Sequence, residues 1–172
     1  DPERADSLER LGVGTVTRDD ASSPHTSPGQ QFDAVIVNPP FGTVRDNDGN
    51  GIDFNVDGLE TNQIDHAIAL NALASMKDDG KAVLILGSKI PGRDKKGKKE
   101  TKAQAYLKGN ISPPFYKKLY DTYNVTDHFT VDGGLYSKQG ASFPIDVIVI
   151  DGKGESTRKP PWTDEPKIFK TW

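Results

Sequence analysis

The chain contains no cysteine, so disulfides and thiolate metal centres are excluded. Its three histidines, His25, His66 and His128, stand far apart, which argues against a zinc site, and no metal is expected. No apolar run is long enough to span a bilayer and no signal-peptide pattern opens the chain, so a cytoplasmic location without a membrane partner is expected. Positive charge is not in excess: the formal net charge is -3 and the pI about 5.6, so any nucleic-acid contact must come from local clusters of Lys and Arg. Apolar residues are scarce as well, at 34% with a mean hydropathy of -0.63, which points to long polar loops around a modest core. The 172 residues are the size of one domain with a single core, and no internal repeat is visible.

What is present is an alternation of apolar strands and amphipathic helices. Ala5, Leu8 and Leu11 share one helical face, with Pro2 in the first turn and Gly12 as a stop. Val13 to Thr17 reads as a short strand, followed by a Ser/Pro/Asp-rich loop to Gln30. Phe32 to Val37 is a buried strand cut short by Asn38-Pro39-Pro40, because proline donates no ladder hydrogen bond. A Gly/Asp/Asn-rich loop runs to about Thr61, and Ile64 to Met76 has helical periodicity closed by Asp78-Asp79-Gly80. Lys81 to Leu86 is a second continuous apolar strand, typical of a sheet covered on both faces. Pro91 to Lys102 is basic and polar, and Pro114 to Tyr123 suits a helix. Val125 to Val131 and Ile145 to Ile150 read as an antiparallel hairpin pair. The pattern predicts an α/β fold with a mostly parallel sheet, in which ligands sit beyond the carboxyl ends of the strands. Asn38 falls at such an end.

The tetrapeptide Asn38-Pro39-Pro40-Phe41 carries a chemistry. The exocyclic amine of adenine is conjugated with its ring, so its lone pair is poorly available. Acceptors held near both amine hydrogens favour a pyramidal nitrogen and aim the lone pair outward. The Asn38 side-chain carbonyl and the Pro39 backbone carbonyl, stiffened by two prolines, are such acceptors. Alignment and electrostatics suffice, without a strong base. Phe41 offers a face for a planar base, which must be flipped out of a duplex to reach it. The plainer reading is a turn after a strand, since Asn and Pro are common turn formers; the preceding apolar strand and the following helix-strand unit favour the chemical one.

Asn38 to Phe41 after a strand, followed by Gly42, resembles motif IV of the adenine-N6 DNA methyltransferases. The wider stretch, at Val37 to Thr43, Gln63 to Ala72, Asp79 to Lys89 and His128 to Asp151, is similar to the methylase region of large phage- and plasmid-borne proteins related to strawberry-notch helicases. The resemblance implies a Rossmann-like, class I S-adenosylmethionine-dependent fold with a C-terminal antiparallel hairpin. It implies Asn38, Pro39, Pro40 and Phe41 as catalytic residues and a flipped DNA adenine as substrate. A helicase domain in the parent protein and an anti-restriction role follow from the same likeness. Asp20 and Ala21, with Asn38, match positions that border the cofactor, while Phe41, Tyr136, Lys95 and Lys96 would contact substrate. The family's Gly-rich cofactor turn has no counterpart in the required strand-to-helix context. Residues 1–152 are therefore expected to form a partial catalytic domain lacking its first strands, and 153–172 a Pro/Lys-rich surface tail. Weak or no cofactor binding, an inactive isolated chain, an open sheet edge and marginal stability are expected.

Weaker signals complete the reading. Asp46, Asp48, Asn50, Gly51 and Asp57 approximate calcium-loop spacing, but Asp53 occupies a usually apolar position. The basic run Arg93, Lys95, Lys96, Lys98, Lys99 and Lys102 suits either phosphate contacts or a solvated loop. Tyr136 and Phe143 flank the final hairpin, where the family often places a second aromatic against the base; packing on the sheet is the alternative. Asp65 and His66 read as helix padding. Two other functions compete: methyl transfer to RNA (adenine-N6 or guanine-N2) or to a protein glutamine, and a catalytically inactive DNA-binding module.

Overall fold

The structure, a computed structural model, describes residues 2–12, 14–24, 29–93, 96–109, 112–135, 137 and 142–171. Its elements are α1 (Pro2–Leu11), β1 (Phe32–Val37), β2 (Phe54–Val56), β3 (Leu59–Thr61), α2 (Ile64–Ala74), β4 (Met76–Gly87), α3 (Lys102–Tyr106), α4 (Ser112–Thr122), β5 (Tyr123–Val131), β6 (Ile145–Lys153) and β7 (Lys167–Phe169). A five-stranded sheet has the order β1-β4-β6-β5-β7. β1 is parallel to β4 and β5 to β7, while β6 is antiparallel to both β4 and β5. All strands but β6 therefore run the same way, and the expected α/β class, mostly parallel with an antiparallel hairpin, is what forms.

One sheet face carries the core. Val35, Ala82 and Ile150 form one row across the strands, and Val37, Leu84, Ile148 and His128 the next. A third row, closer to the carboxyl ends of β1 and β4, is Leu86, Asp146 and Thr130. Ala67, Leu70 and Leu73 of α2 and Phe115, Tyr116, Leu119 and Tyr120 of α4 join the apolar members of these rows in one buried cluster. Toward the carboxyl ends this face turns polar, and that polarity fixes the chemistry of the site. The opposite face of β1 is bare: Ile36 is 79% exposed. β1 also lies at the sheet edge, paired among the described residues with β4 alone. Phe32 to Val37, expected as a buried strand, is buried on one side only, at Val35 and Val37, because nothing described covers its second side.

Several boundaries differ from expectation for local reasons. α2 stops at Ala74 because the Ser75 hydroxyl and amide both donate to the Ala72 carbonyl, at 2.6 and 3.1 Å, competing with continued helix. The Ser75 carbonyl then accepts from Phe32 N at 2.8 Å, which commits the chain to β4. Asp78-Asp79-Gly80, read as a helix stop, lies inside β4, where the register jumps from Phe32↔Met76 to Ala34↔Lys81. Gly80 is needed there: a Cβ would sit 2.7 Å from Met76 Cγ and 3.1 Å from the Phe32 carbonyl oxygen.

The loop from Gly42 to Thr61 hides a hairpin, β2-β3, turning at Asp57-Gly58 with φ of 49° and 75°, as a type I′ turn requires. Residues 14–17 form no strand; Val13 lies outside the described residues. β7 arises within the C-terminal stretch and borders β5, while most of 153–171 stays at the surface. Among the described residues no helix is long and apolar enough to cross a membrane.

Candidate functional site

Asn38, Pro39, Pro40 and Phe41 leave β1 at its carboxyl end, with Pro39 buried and the other three exposed. The turn is held at its Phe41-Gly42 end by its neighbours. The Gly42 carbonyl accepts from Ile64 N at 2.9 Å, tying the loop to the first turn of α2. Gly42, at φ 95°, adopts a backbone conformation that glycine tolerates without strain. Phe41 then lies against the end of β4, where a Cβ on Gly87 would approach Phe41 Cβ to 3.2 Å. The absence of a side chain at Gly87 is what allows this contact.

Beside this turn lies a cavity of about 340 Å³, lined by Phe41, Asp65, Gly87, Ser88, Lys89 and Phe143, among others, at the lower end of small-molecule pocket sizes. Two partly exposed aromatic rings, Phe41 at 42% and Phe143 at 68%, bracket an opening with a carboxylate and an ammonium inside. Asn38, Pro39 and Pro40 do not line it; of the tetrapeptide, Phe41 alone does. Asp65 is buried, and its Oδ1 accepts from Gly42 N at 3.4 Å while Oδ2 accepts from Gly87 N at 3.2 Å. Burial raises its pKa, an effect opposed by the two amides and by Lys89. Burial likewise lowers the pKa of Lys89, opposed by Asp65 and Asp146.

The floor behind Ser88 and Lys89 is a closed polar assembly around Asp146, which has no exposed surface. Its Oδ1 accepts from Ser88 Oγ at 2.6 Å and Thr130 Oγ1 at 2.7 Å. Its Oδ2 accepts from Tyr106 at 2.6 Å and Tyr116 at 3.3 Å. Lys102 Nζ stands 3.7 Å and His128 Nε2 3.6 Å from the carboxylate. Lys102 also donates to Ser88 Oγ and, at 2.6 Å, to the Lys89 carbonyl. Burial alone would raise the Asp146 pKa, but His128, Lys102 and Ser88 outweigh it and hold it well below the usual carboxylate range. This assembly fixes the chain path at Ser88 and Lys89.

The remaining expected residues are scattered. Asp20 is exposed, and its Oδ1 accepts from Ser22 N at 2.9 Å and Ser22 Oγ at 2.7 Å, which lower its pKa. Neither Asp20 nor Ala21 lines the cavity at Phe41. Tyr136 and Lys95 lie outside the described residues, and Lys96 is exposed. Lys102, counted with the basic run, is buried in the Asp146 assembly and faces no solvent. The calcium-like spacing is instead a turn: Asp46 Oδ1 accepts from Asp48 N and Asn50 N, and Asp57 pairs with Lys118. Sequence reasoning missed Asp65 and Lys89 as site residues. The available signal for Asp65 was the lone carboxylate at the start of a mostly apolar helix.

No protein-family model matches the chain, and no curated protein matches it. Among solved structures it is similar to the modification subunit of a putative type I restriction enzyme from Vibrio vulnificus YJ016, with a TM-score of 0.51 and 11% identity over 76% of this chain. The chain spans 25% of that subunit's length. At this identity the likeness is one of fold: a Rossmann-like α/β architecture.

Proposed function

We propose that this chain is the base-holding, catalytic portion of a DNA methyltransferase that places a methyl group from S-adenosylmethionine on the N6 amine of adenine. The observation that carries this reading is the placement of Asn38-Pro39-Pro40-Phe41 at a strand's carboxyl end, with Phe41 on a cavity that a second aromatic, Phe143, also lines. A flipped adenine stacks on Phe41. The Asn38 side-chain carbonyl and the Pro39 carbonyl accept from its two amine hydrogens and steer the nitrogen lone pair. Type I restriction modification, named for the structurally similar subunit, supports DNA as the acceptor. S-adenosylmethionine supplies the methyl group when bound. Asp20, the residue expected to border it, accepts from Ser22 through Oδ1 and does not line the Phe41 cavity.

The test is transfer of labelled methyl groups to adenine-containing duplex DNA, with the product nucleoside identified. N6-methyladenine that disappears in Asn38→Ala, by at least about 100-fold as for loss of a transition-state acceptor, is the expected result. A labelled RNA base or protein glutamine would reassign the acceptor. The exposed, Ser22-bound Asp20 favours one further reading, a DNA-binding module without cofactor. It predicts DNA affinity with no S-adenosylmethionine binding by calorimetry.

A further inference from the structure

Asp65 is the one carboxylate in α2, buried at its start in a helix whose other residues are Ala, Leu and Ile with His66 and Asn71. It is only 2% exposed, and its two oxygens go to different pieces of chain. Oδ1 takes the Gly42 amide, just after Phe41, at 3.4 Å; Oδ2 takes the Gly87 amide, at the end of β4, at 3.2 Å. Gly42 lies in the loop that follows β1 and Gly87 is the last residue of β4, and both line the cavity. A carboxylate accepts both amides at once because it offers two equivalent acceptor oxygens with no hydrogen of its own. The Gly87 position is also the one at which Phe41 packs on backbone.

We propose that Asp65 is a positioning residue that clamps the Phe41 loop to the end of β4 and so sets the stacking face for the substrate base. The inference rests on the base-holding reading of the cavity. The charged group that faces Asp65 from β4's end is Lys89, and Tyr116 faces it from α4; His66 neighbours it on its own helix. Burial raises the Asp65 pKa, so acidification protonates it before an ordinary carboxylate. A protonated carboxyl retains one good acceptor and the clamp loosens. The sign for stability is opposite. A raised folded pKa means that the folded state binds more protons, so this group's contribution to stability is largest at low pH and falls as pH rises through the folded value. Loss of activity on acidification without loss of stability from this group therefore distinguishes positioning from mere support of the fold.

The experiment compares wild type with Asp65→Asn and Asp65→Ala in the full chain. Three quantities are read: exchange of the Gly42 and Gly87 amides, quenching of free 2-aminopurine nucleoside as it stacks on Phe41, and methyl transfer. The expected result is at least tenfold faster exchange at both glycines and loss of most of the quench. In transfer, kcat falls about tenfold or more at unchanged KM for DNA, and the acidic limb of the pH profile vanishes in Asp65→Asn. Unchanged quench and kcat in a folded Asp65→Asn would overturn the proposal, as would a rise in KM at constant kcat. If wild type methylates no nucleic acid, the methyltransferase reading falls, and exchange and quench still decide whether Asp65 sets the stacking face.

Discussion

Asp146 illustrates how much one side chain organises. Four hydroxyls donate to it, and Lys102 and His128 stand within 4 Å. Removing the carboxylate leaves Lys102, 3% exposed, as a buried and poorly compensated cation. Asp146→Ala should destabilise the chain by about 3–5 kcal/mol, the usual consequence of removing one partner of a buried pair; urea unfolding measures it. The pH dependence has a defined sign. The folded pKa lies below the unfolded one, so the contribution is fully present above the ordinary carboxylate range and is lost as pH falls toward the folded value. Asp146→Ala should accordingly flatten the acid side of the stability profile. In the sequence Asp146 was one acidic residue inside an apolar strand. Its importance depends on Ser88, Lys102, Tyr106, Tyr116, His128 and Thr130, which converge on it from separate segments.

At the scale of elements, the basic segment after β4 is more ordered than its composition suggested. Arg93 and Lys99 form an antiparallel bridge, the Arg93 guanidinium donates to the Gly97 carbonyl at 2.7 Å, and the Glu100 carboxylate accepts from Gly92 N at 3.0 Å. Glu100 and Lys108 pair at 2.7 Å. Lys96, Lys98 and Lys99 are exposed in the segment that follows the cavity-lining Gly87, Ser88 and Lys89. Replacing these three by Ala should weaken DNA binding and reduce the slope of log K against log salt by about one unit per phosphate contact removed. Binding titrations at several salt concentrations measure this. Lys102→Ala should behave differently, lowering the unfolding midpoint with little effect on salt slope, because that ammonium is sequestered under Tyr106.

For the molecule as a whole, the consequential feature is the asymmetry of the sheet. One face holds the core under α2 and α4, while at β1 the other face presents Ile36 and the edge lies open among the described residues. An exposed apolar strand at an edge is a site of intermolecular pairing. Ile36→Lys should suppress concentration-dependent association in sedimentation experiments while changing stability by no more than about 0.5 kcal/mol, as for an exposed position. Equal association of the two proteins would mean that the β1 edge is not sticky. The same asymmetry fixes the site, because β1 and β4 both end beside the Phe41 cavity whereas β6 runs the other way.

The sequence by itself determined the strands that form the sheet's centre, the helices α2 and α4 between them, though not the short α3, and the turn at Asn38-Pro39-Pro40. Each of these is written in local signals: runs of apolar residues, a helical repeat, and prolines that cannot continue a ladder. Even the β2-β3 hairpin was encoded locally, in Asp57-Gly58. Only the tertiary structure decided that β1 has an uncovered face, that Asp78-Asp79-Gly80 bulges within a strand, and that Asp65 bridges Gly42 to Gly87. It alone removed Lys102 from the basic surface and built the Asp146 assembly. These depend on groups tens of residues apart meeting across strands and helices, and a buried polar residue is recognisable only once its partners are in place. Periodicity records whether a side chain is buried, and burial alone does not say with whom.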